Sequence, residues 1–200
     1  PRQVLLCAHW DTRPWADRDP DIVNHRTPIL GANDGASGVA ILLEVARVLA
    51  QLRPRGIGFQ FVFFDGEDYG PGIEDMFLGS RYFAANLPKV RPEYGILLDM
   101  VGDADLGVYQ EGNSVARAPE VVERVWGAAA AAGYEASFPR QVAYTVVDDH
   151  IPLLDAGWSV IDVIDFRYPH WHTVGDTPDK CSAESLKAVG ETVLKAVLTT

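Results

Sequence analysis

Carboxylates and imidazoles recur in this sequence where apolar runs give out or glycines gather. His9 and Asp11 follow VLLCA, Asp34 sits in GANDGASG, and Glu67 and Asp68 follow IGFQFVFF. Asp99 closes GILLD, Asp148, Asp149 and His150 form DDH, and His172 stands beside Trp171 in WHT. Imidazole nitrogen and carboxylate oxygen together suit a borderline cation such as zinc, with one coordination position left open for a reacting group.

Each signal also has a plain structural explanation. His9 can reach a metal while Asp11, two residues on and pointing the same way, orients its ring; equally, it can be a strand-end histidine bonded to its own loop. Asp34 meets a ligand through flanking glycines and a helix N-terminus, or it and Asn33 cap that helix. Adjacent carboxylates such as Glu67 and Asp68 usually make a solvated turn. The apolar strand before them argues for a partly desolvated site, in which a cation must offset their charge and one carboxylate is free to handle protons. Asp99 ends a buried strand and needs a partner. One of Asp148 and Asp149 can cap a helix starting at Ile151, which leaves the other to be explained. Trp171 fills core or, between two histidines in a loop, lines a pocket.

These side chains need a frame that gathers strand ends. Residues 3 to 8 read as a buried strand. Asn33 through Arg53 reads as an amphipathic helix that opens on an Asn/Asp cap and is ended by Pro54. Residues 57 to 64 form a second strand, 78 to 85 a shorter helix, and 94 to 100 a third strand with Asp99 at its end. Pro119 to Ala132 is a helix with Pro in its first turn, an alanine-rich interior and Gly133 beyond its end. A strand-like stretch at 141 to 147, a short helix over 149 to 156, a strand over 159 to 166 and a helix from Ser182 to Leu198 follow. This alternation predicts an α/β fold, a three-layer α/β/α sandwich around a mixed, largely parallel sheet. Ligands bind beyond the carboxyl ends of such strands, where the titratable residues fall. The loops at 10 to 33, 65 to 77 and 165 to 181 are long enough to be functional.

Composition narrows the chemistry. Two hundred residues, 48% of them hydrophobic, can bury one substantial core, read as a single catalytic domain over residues 1–200. A net charge of −11 repels phosphate backbones and anionic membrane surfaces, so no nucleic-acid partner is expected. No apolar run approaches the ~20 residues of a membrane span. Cys7, inside an apolar strand, and Cys181 form no disulfide framework, and Cys7 is a poor nucleophile. HExxH, phosphate-loop and GxSxG motifs are absent, which removes zincin, NTPase and serine-hydrolase chemistry. The chain opens directly on a strand, so earlier elements, including any targeting segment, are expected to precede it in a longer protein.

From Val4 to the C-terminus the sequence resembles the zinc-dependent aminopeptidase superfamily, and within it the glutaminyl cyclases, especially bacterial ones similar to the animal enzymes. The stretches that carry the resemblance are AHWDTRPWADRDP, GANDGASGVAILLEVAR, FFDGEDYG, LGSRYFA, GILLDMVG, DDHIPLL and WHT. DDH stands where aminopeptidases more commonly read SDH, and WHT where they commonly place Tyr before the His. GANDGASG and HTVGDTPDK would suit an aminopeptidase, and Asp68 is shorter than the Glu usual in both groups.

The resemblance implies that Asp34, Asp68 and His172 hold a catalytic Zn2+, that Glu67 is the general acid/base, that Asp99 and Asp148 form an acidic network around it, and that Trp171 walls the substrate pocket. The implied reaction converts the N-terminal glutamine of a peptide to pyroglutamate with release of ammonia. Its alternative is a dinuclear aminopeptidase in which His9 and Asp99 hold a second metal and Asp148 or Asp149 contacts the substrate amine. A non-catalytic binding module is a third reading, opposed by the intact Glu67 and full ligand set. Bacterial cyclases of this sort are exported, so the resemblance also implies a periplasmic or secreted protein.

Overall fold

In the computed structural model, which describes residues 2–199, four parallel strands form the central sheet: β1 (Arg2–His9), β2 (Ile57–Phe64), β3 (Tyr94–Asp99) and β6 (Val160–Ile164), in the order β2-β1-β3-β6. Strand periodicity sorts their side chains to two faces. Val4, Leu6 and Ala8 of β1, with Ile96 and Leu98 of β3, pack against α1 (Ala36–Leu52), α4 (Pro119–Ala132) and α6 (Ala183–Leu198). Leu5, Cys7, Leu97 and Val160 pack the other way, with Phe83 of α2 (Leu78–Ala85) and Leu153 of α5 (His150–Asp155). Each such buried aliphatic side chain stabilises the fold by about 1.5–3 kcal/mol relative to exposure. The result is the expected three-layer sandwich.

Local sequence explains where the helices stop. Arg53 ends α1 in the left-handed conformation, and Pro54 forbids another turn. Pro119 occupies the first turn of α4, and Gly133, at φ +86°, closes it while its N–H donates to Ala130 O. Gly38 lets α1 settle on β3, since a Cβ there would stand 2.4 Å from the Leu98 carbonyl oxygen.

The structure departs from the sequence reading in three places. The first helix starts at Ala36 rather than Asn33, and its cap position, Gly35, offers no side chain. Asn33 is spent elsewhere, its Oδ1 accepting from Gly102 N at 2.7 Å. Of the strand-like 141–147 stretch only β5 (Val142–Tyr144) forms, and it pairs outside the main sheet with the two-residue β4 (Gln110–Glu111). Its side chains are exposed or half-buried, so no core holds it in the central sheet. An unexpected helix, α3 (Gly112–Arg117), is capped by the Glu111 carboxylate, which accepts from Asn113 N and Ser114 N. Glutamate is not among the preferred N-cap residues, so the helix start has no sequence signature.

Candidate metal centre

Sheet register delivers the first groups. His9 and Asp99 end neighbouring parallel strands on one face, and His9 Nε2 lies 3.1 Å from Asp99 Oδ1. The loop into α1 brings Asp34 between two imidazoles: Oδ1 is 3.2 Å from His9 Nε2 and Oδ2 is 3.6 Å from His172 Nε2. The turn after β2 supplies Asp68, whose Oδ2 is 3.1 Å from His172 Nε2. His172 adopts φ +55°, a left-handed conformation that costs a non-glycine residue on the order of 1–3 kcal/mol and concentrates at functional sites. Asp34 is held from behind, as Asp176 accepts the Asn33 and Asp34 amides at 2.9 and 3.1 Å and the Tyr168 hydroxyl at 2.8 Å.

Two ligand-like triplets therefore share Asp34: His9, Asp34 and Asp99, and Asp34, Asp68 and His172, all buried. Asp34 Oδ2 and Asp68 Oδ2 are buried without a hydrogen-bond partner among the described residues. Two orphaned carboxylate oxygens converging with an imidazole nitrogen fit a zinc ion, because buried carboxylate charge needs a compensating cation.

A cavity of about 260 Å³ opens onto the second triplet. Asp34, Glu67, Asp68, Asp99, Asp148 and His172 line its polar side, and Val146, Val147, Phe166 and Trp171 its apolar side. Trp171 lies over His172 with ring centroids 4.1 Å apart, and Phe166 stands 5.1 Å from Trp171. His9 does not line the cavity; it is buried behind Asp34 and Asp99. Asp149 does not line it either. It is fully buried at the start of α5.

Burial sets the charges. Desolvation, reinforced by Asp68, pushes Asp34 up to about 7, and desolvation with neighbouring acids holds Glu67 well above the usual carboxylate range despite His9. Asp148 is raised to about 6 by burial and by Asp99. For His9, burial opposes the charge, but Asp11, Asp34 and Asp99 outweigh it and raise the imidazole well above its ordinary value. Cys7 is fully buried and its thiol is pushed up by desolvation, in keeping with its exclusion as a nucleophile.

Some supporting groups take roles that the sequence reading did not give them. Asp11 faces His9 Nδ1 chiefly through its backbone oxygen at 3.1 Å, while its carboxylate accepts the Glu67 and Asp68 amides at 3.2 and 3.1 Å. It shapes the Glu67-Asp68 turn more than the His9 ring. Behind Asp148, His150 Nε2 lies 3.2 Å from Glu111 Oε2, both fully buried. Only the DDH motif hinted at this pair.

A parallel sheet between helical layers, with carboxylates and imidazoles gathered beyond its strand ends, defines the zinc-exopeptidase class of α/β proteins. Residues 1–197 match the model for Peptidase family M28, and the chain belongs to that family. It is similar to a leucine aminopeptidase precursor from Bacteroides thetaiotaomicron, 43% identical with a TM-score of 0.96 over 100% of this chain and 72% of that one. It is equally similar to a glutaminyl cyclase of that organism bound to N-acetylhistamine, 43% identical with a TM-score of 0.95 over 100% and 73%. A glutaminyl-peptide cyclotransferase-like protein of Mus musculus is 27% identical over 205 residues, 88% of this chain and 51% of that protein. The chain thus spans about half the length of that curated relative.

Proposed function

We propose that this chain carries the active site of a zinc-dependent glutaminyl-peptide cyclotransferase, with Asp34, Asp68 and His172 as metal ligands. The observation that carries the reading is the sharing of one small cavity by this triplet, Glu67 and Trp171, with His9 set off its wall. Zinc, when bound there, would supply a Lewis acid for the γ-carbonyl of an N-terminal glutamine.

The chain's own residues do the rest. Trp171 and Phe166 offer flat apolar walls against which the glutamine side chain folds back, bringing its α-amine to its own amide carbon. The amine nitrogen bonds to that carbon, and Glu67 takes the proton the amine sheds. Glu67 then returns it to the amide nitrogen as that C–N bond breaks, so ammonia leaves and the pyroglutamyl ring remains. Asp99 and Asp148 form an acidic network on the same wall, and Asp148 helps to hold the Glu67 carboxyl above the usual range. The nucleophile is already tethered to the substrate, so a single metal suffices.

A dinuclear aminopeptidase is the second reading, supported by the His9, Asp34 and Asp99 triplet and by the similarity to the leucine aminopeptidase precursor. An exported location, the compartment implied by the resemblance, belongs to the same proposal. Among the described residues no helix is long and apolar enough to cross a membrane.

Mass spectrometry of a glutamine-initiated and a leucine-initiated peptide, each incubated with zinc-loaded protein, separates the readings. Loss of ammonia from the first with the second intact is the expected result. Release of free N-terminal residues would replace the cyclase by the peptidase.

A further inference from the structure

The HWDTRPWADRDP stretch supplies more than His9 and Asp11. Arg13 is buried, and all three of its guanidinium nitrogens donate hydrogen bonds. Nη1 donates to Asp68 Oδ1 at 3.1 Å, to Asp68 O at 3.3 Å and to Gly70 O at 2.8 Å. Nε and Nη2 fork onto the two oxygens of Asp17 at 3.1 and 2.8 Å. Asp17 Oδ1 in turn lies 3.4 Å from His172 Nδ1, and the next residue, Arg18, donates its N–H to His172 O at 3.1 Å.

One guanidinium and one carboxylate thus span the outer sides of two candidate ligands. The Asp68 oxygen that Arg13 occupies is Oδ1, while Oδ2 stays buried and unpartnered beside His172 Nε2. The nitrogen that Asp17 faces is Nδ1, which leaves Nε2 for the interior. Outer partners of this kind fix ring orientation and which oxygen a carboxylate presents. A planar fork can engage two carboxylates and two carbonyls together, whereas an ammonium cannot.

Building on the zinc site above, we propose that Arg13 and Asp17 are positioning residues, Arg13 confining Asp68 to one ligating oxygen and Asp17 setting the His172 ring. The bracket also accounts for an aspartate at position 68. A carboxylate one methylene shorter than glutamate is anchored at a fixed reach by the arginine behind it.

The test is zinc affinity by competition with a chromophoric chelator, together with the visible spectrum of the cobalt-substituted protein, on Arg13→Lys, Asp17→Ala and, as reference, His172→Ala. Arg13→Lys keeps the charge and loses the fork; Asp17 is half-buried, and its removal leaves the sheet untouched. Arg13→Lys and Asp17→Ala should each weaken zinc binding by about 10–100-fold and shift the cobalt bands. The double variant should lose less than the product of the two, since Arg13 and Asp17 are paired with each other. If His172→Ala loses the metal while both bracket variants keep wild-type affinity and spectrum, the bracket is overturned and the zinc site stands. If His172→Ala binds zinc as tightly as the parent, the site itself is wrong. Should Arg13→Lys fail to fold, Asp17→Ala decides by the same readouts.

Discussion

The His9 ring rests against the backbone of Gly35 so closely that a Cβ on residue 35 would stand 2.5 Å from Cε1 and 2.7 Å from each ring nitrogen. Gly35, next to Asp34, therefore clears room for an imidazole, where the sequence suggested close approach by a ligand. Such a clash cannot be absorbed without moving His9 away from Asp34 and Asp99. Gly35→Ala should destabilise the protein by about 1–3 kcal/mol, the usual range for overpacking. Calorimetry would read this as a lower Tm. In a His9→Ala background the same substitution should be nearly neutral, because the clashing ring is gone. An equal loss in both backgrounds would show that the ring is not the obstacle.

Glu67 should be separable from the metal. Its carboxyl faces the cavity and its amide is fixed by Asp11, yet it belongs to neither ligand triplet. Glu67→Gln preserves shape and removes proton transfer, so turnover of a glutamine-initiated peptide should fall by about 10²–10⁴-fold. Zinc content should stay at the parent level. Near-normal turnover would take the acid/base role away from Glu67.

Trp171 tests the apolar wall. Its ring lies between His172 and Phe166, with the Arg18 guanidinium 5.3 Å from its centroid. Trp171→Ala removes the flat surface and leaves the ligands in place. An aromatic contact of this sort is worth about 0.5–1.5 kcal/mol beyond its area, so KM should rise by roughly two- to tenfold from that contact. Zinc affinity should change less than KM does. Unchanged kinetics would remove Trp171 from the substrate site.

Much of the frame was legible because it is local. β1 and β3 are built on the apolar runs VLLCA and GILL, β2 is apolar apart from Gln60, and α4 carries both its Pro start and its Gly stop. What stayed hidden depends on partners distant in sequence. Asp176 holds the Asp34 amide from 142 residues away, and Arg13 reaches Asp68 across 55. No periodicity encodes such pairings. The start of α1 was misplaced because Asn33 and Asp34, good caps by type, are drawn off to Gly102 and to the imidazoles. The helix α3 was missed because its cap is a glutamate whose burial only the fold creates.

That glutamate gives a pH prediction. Glu111 is fully buried, accepts from Asn113 N at 2.8 Å, from Ser114 N at 2.6 Å and from Ser114 Oγ at 2.8 Å, and faces His150 Nε2 at 3.2 Å. Burial alone would raise its carboxyl, but His150 and the two amides outweigh it and lower it from 4.5 to about 2. A carboxyl lowered on folding stabilises the folded state fully above its unfolded value near 4.5, and that stability is lost as pH falls through about 2. The corresponding free energy is about 3 kcal/mol at neutral pH. Glu111→Gln cannot titrate and presents a donor to groups that are themselves donors. It should therefore be less stable than the parent by about 3 kcal/mol at neutral pH in urea unfolding. Because only the parent loses the Glu111 contribution on acidification, the gap should shrink by about half by roughly pH 3 and continue to close below that. A gap of constant size from neutral pH down to pH 2 would mean that Glu111 is not held ionised by the cap and His150.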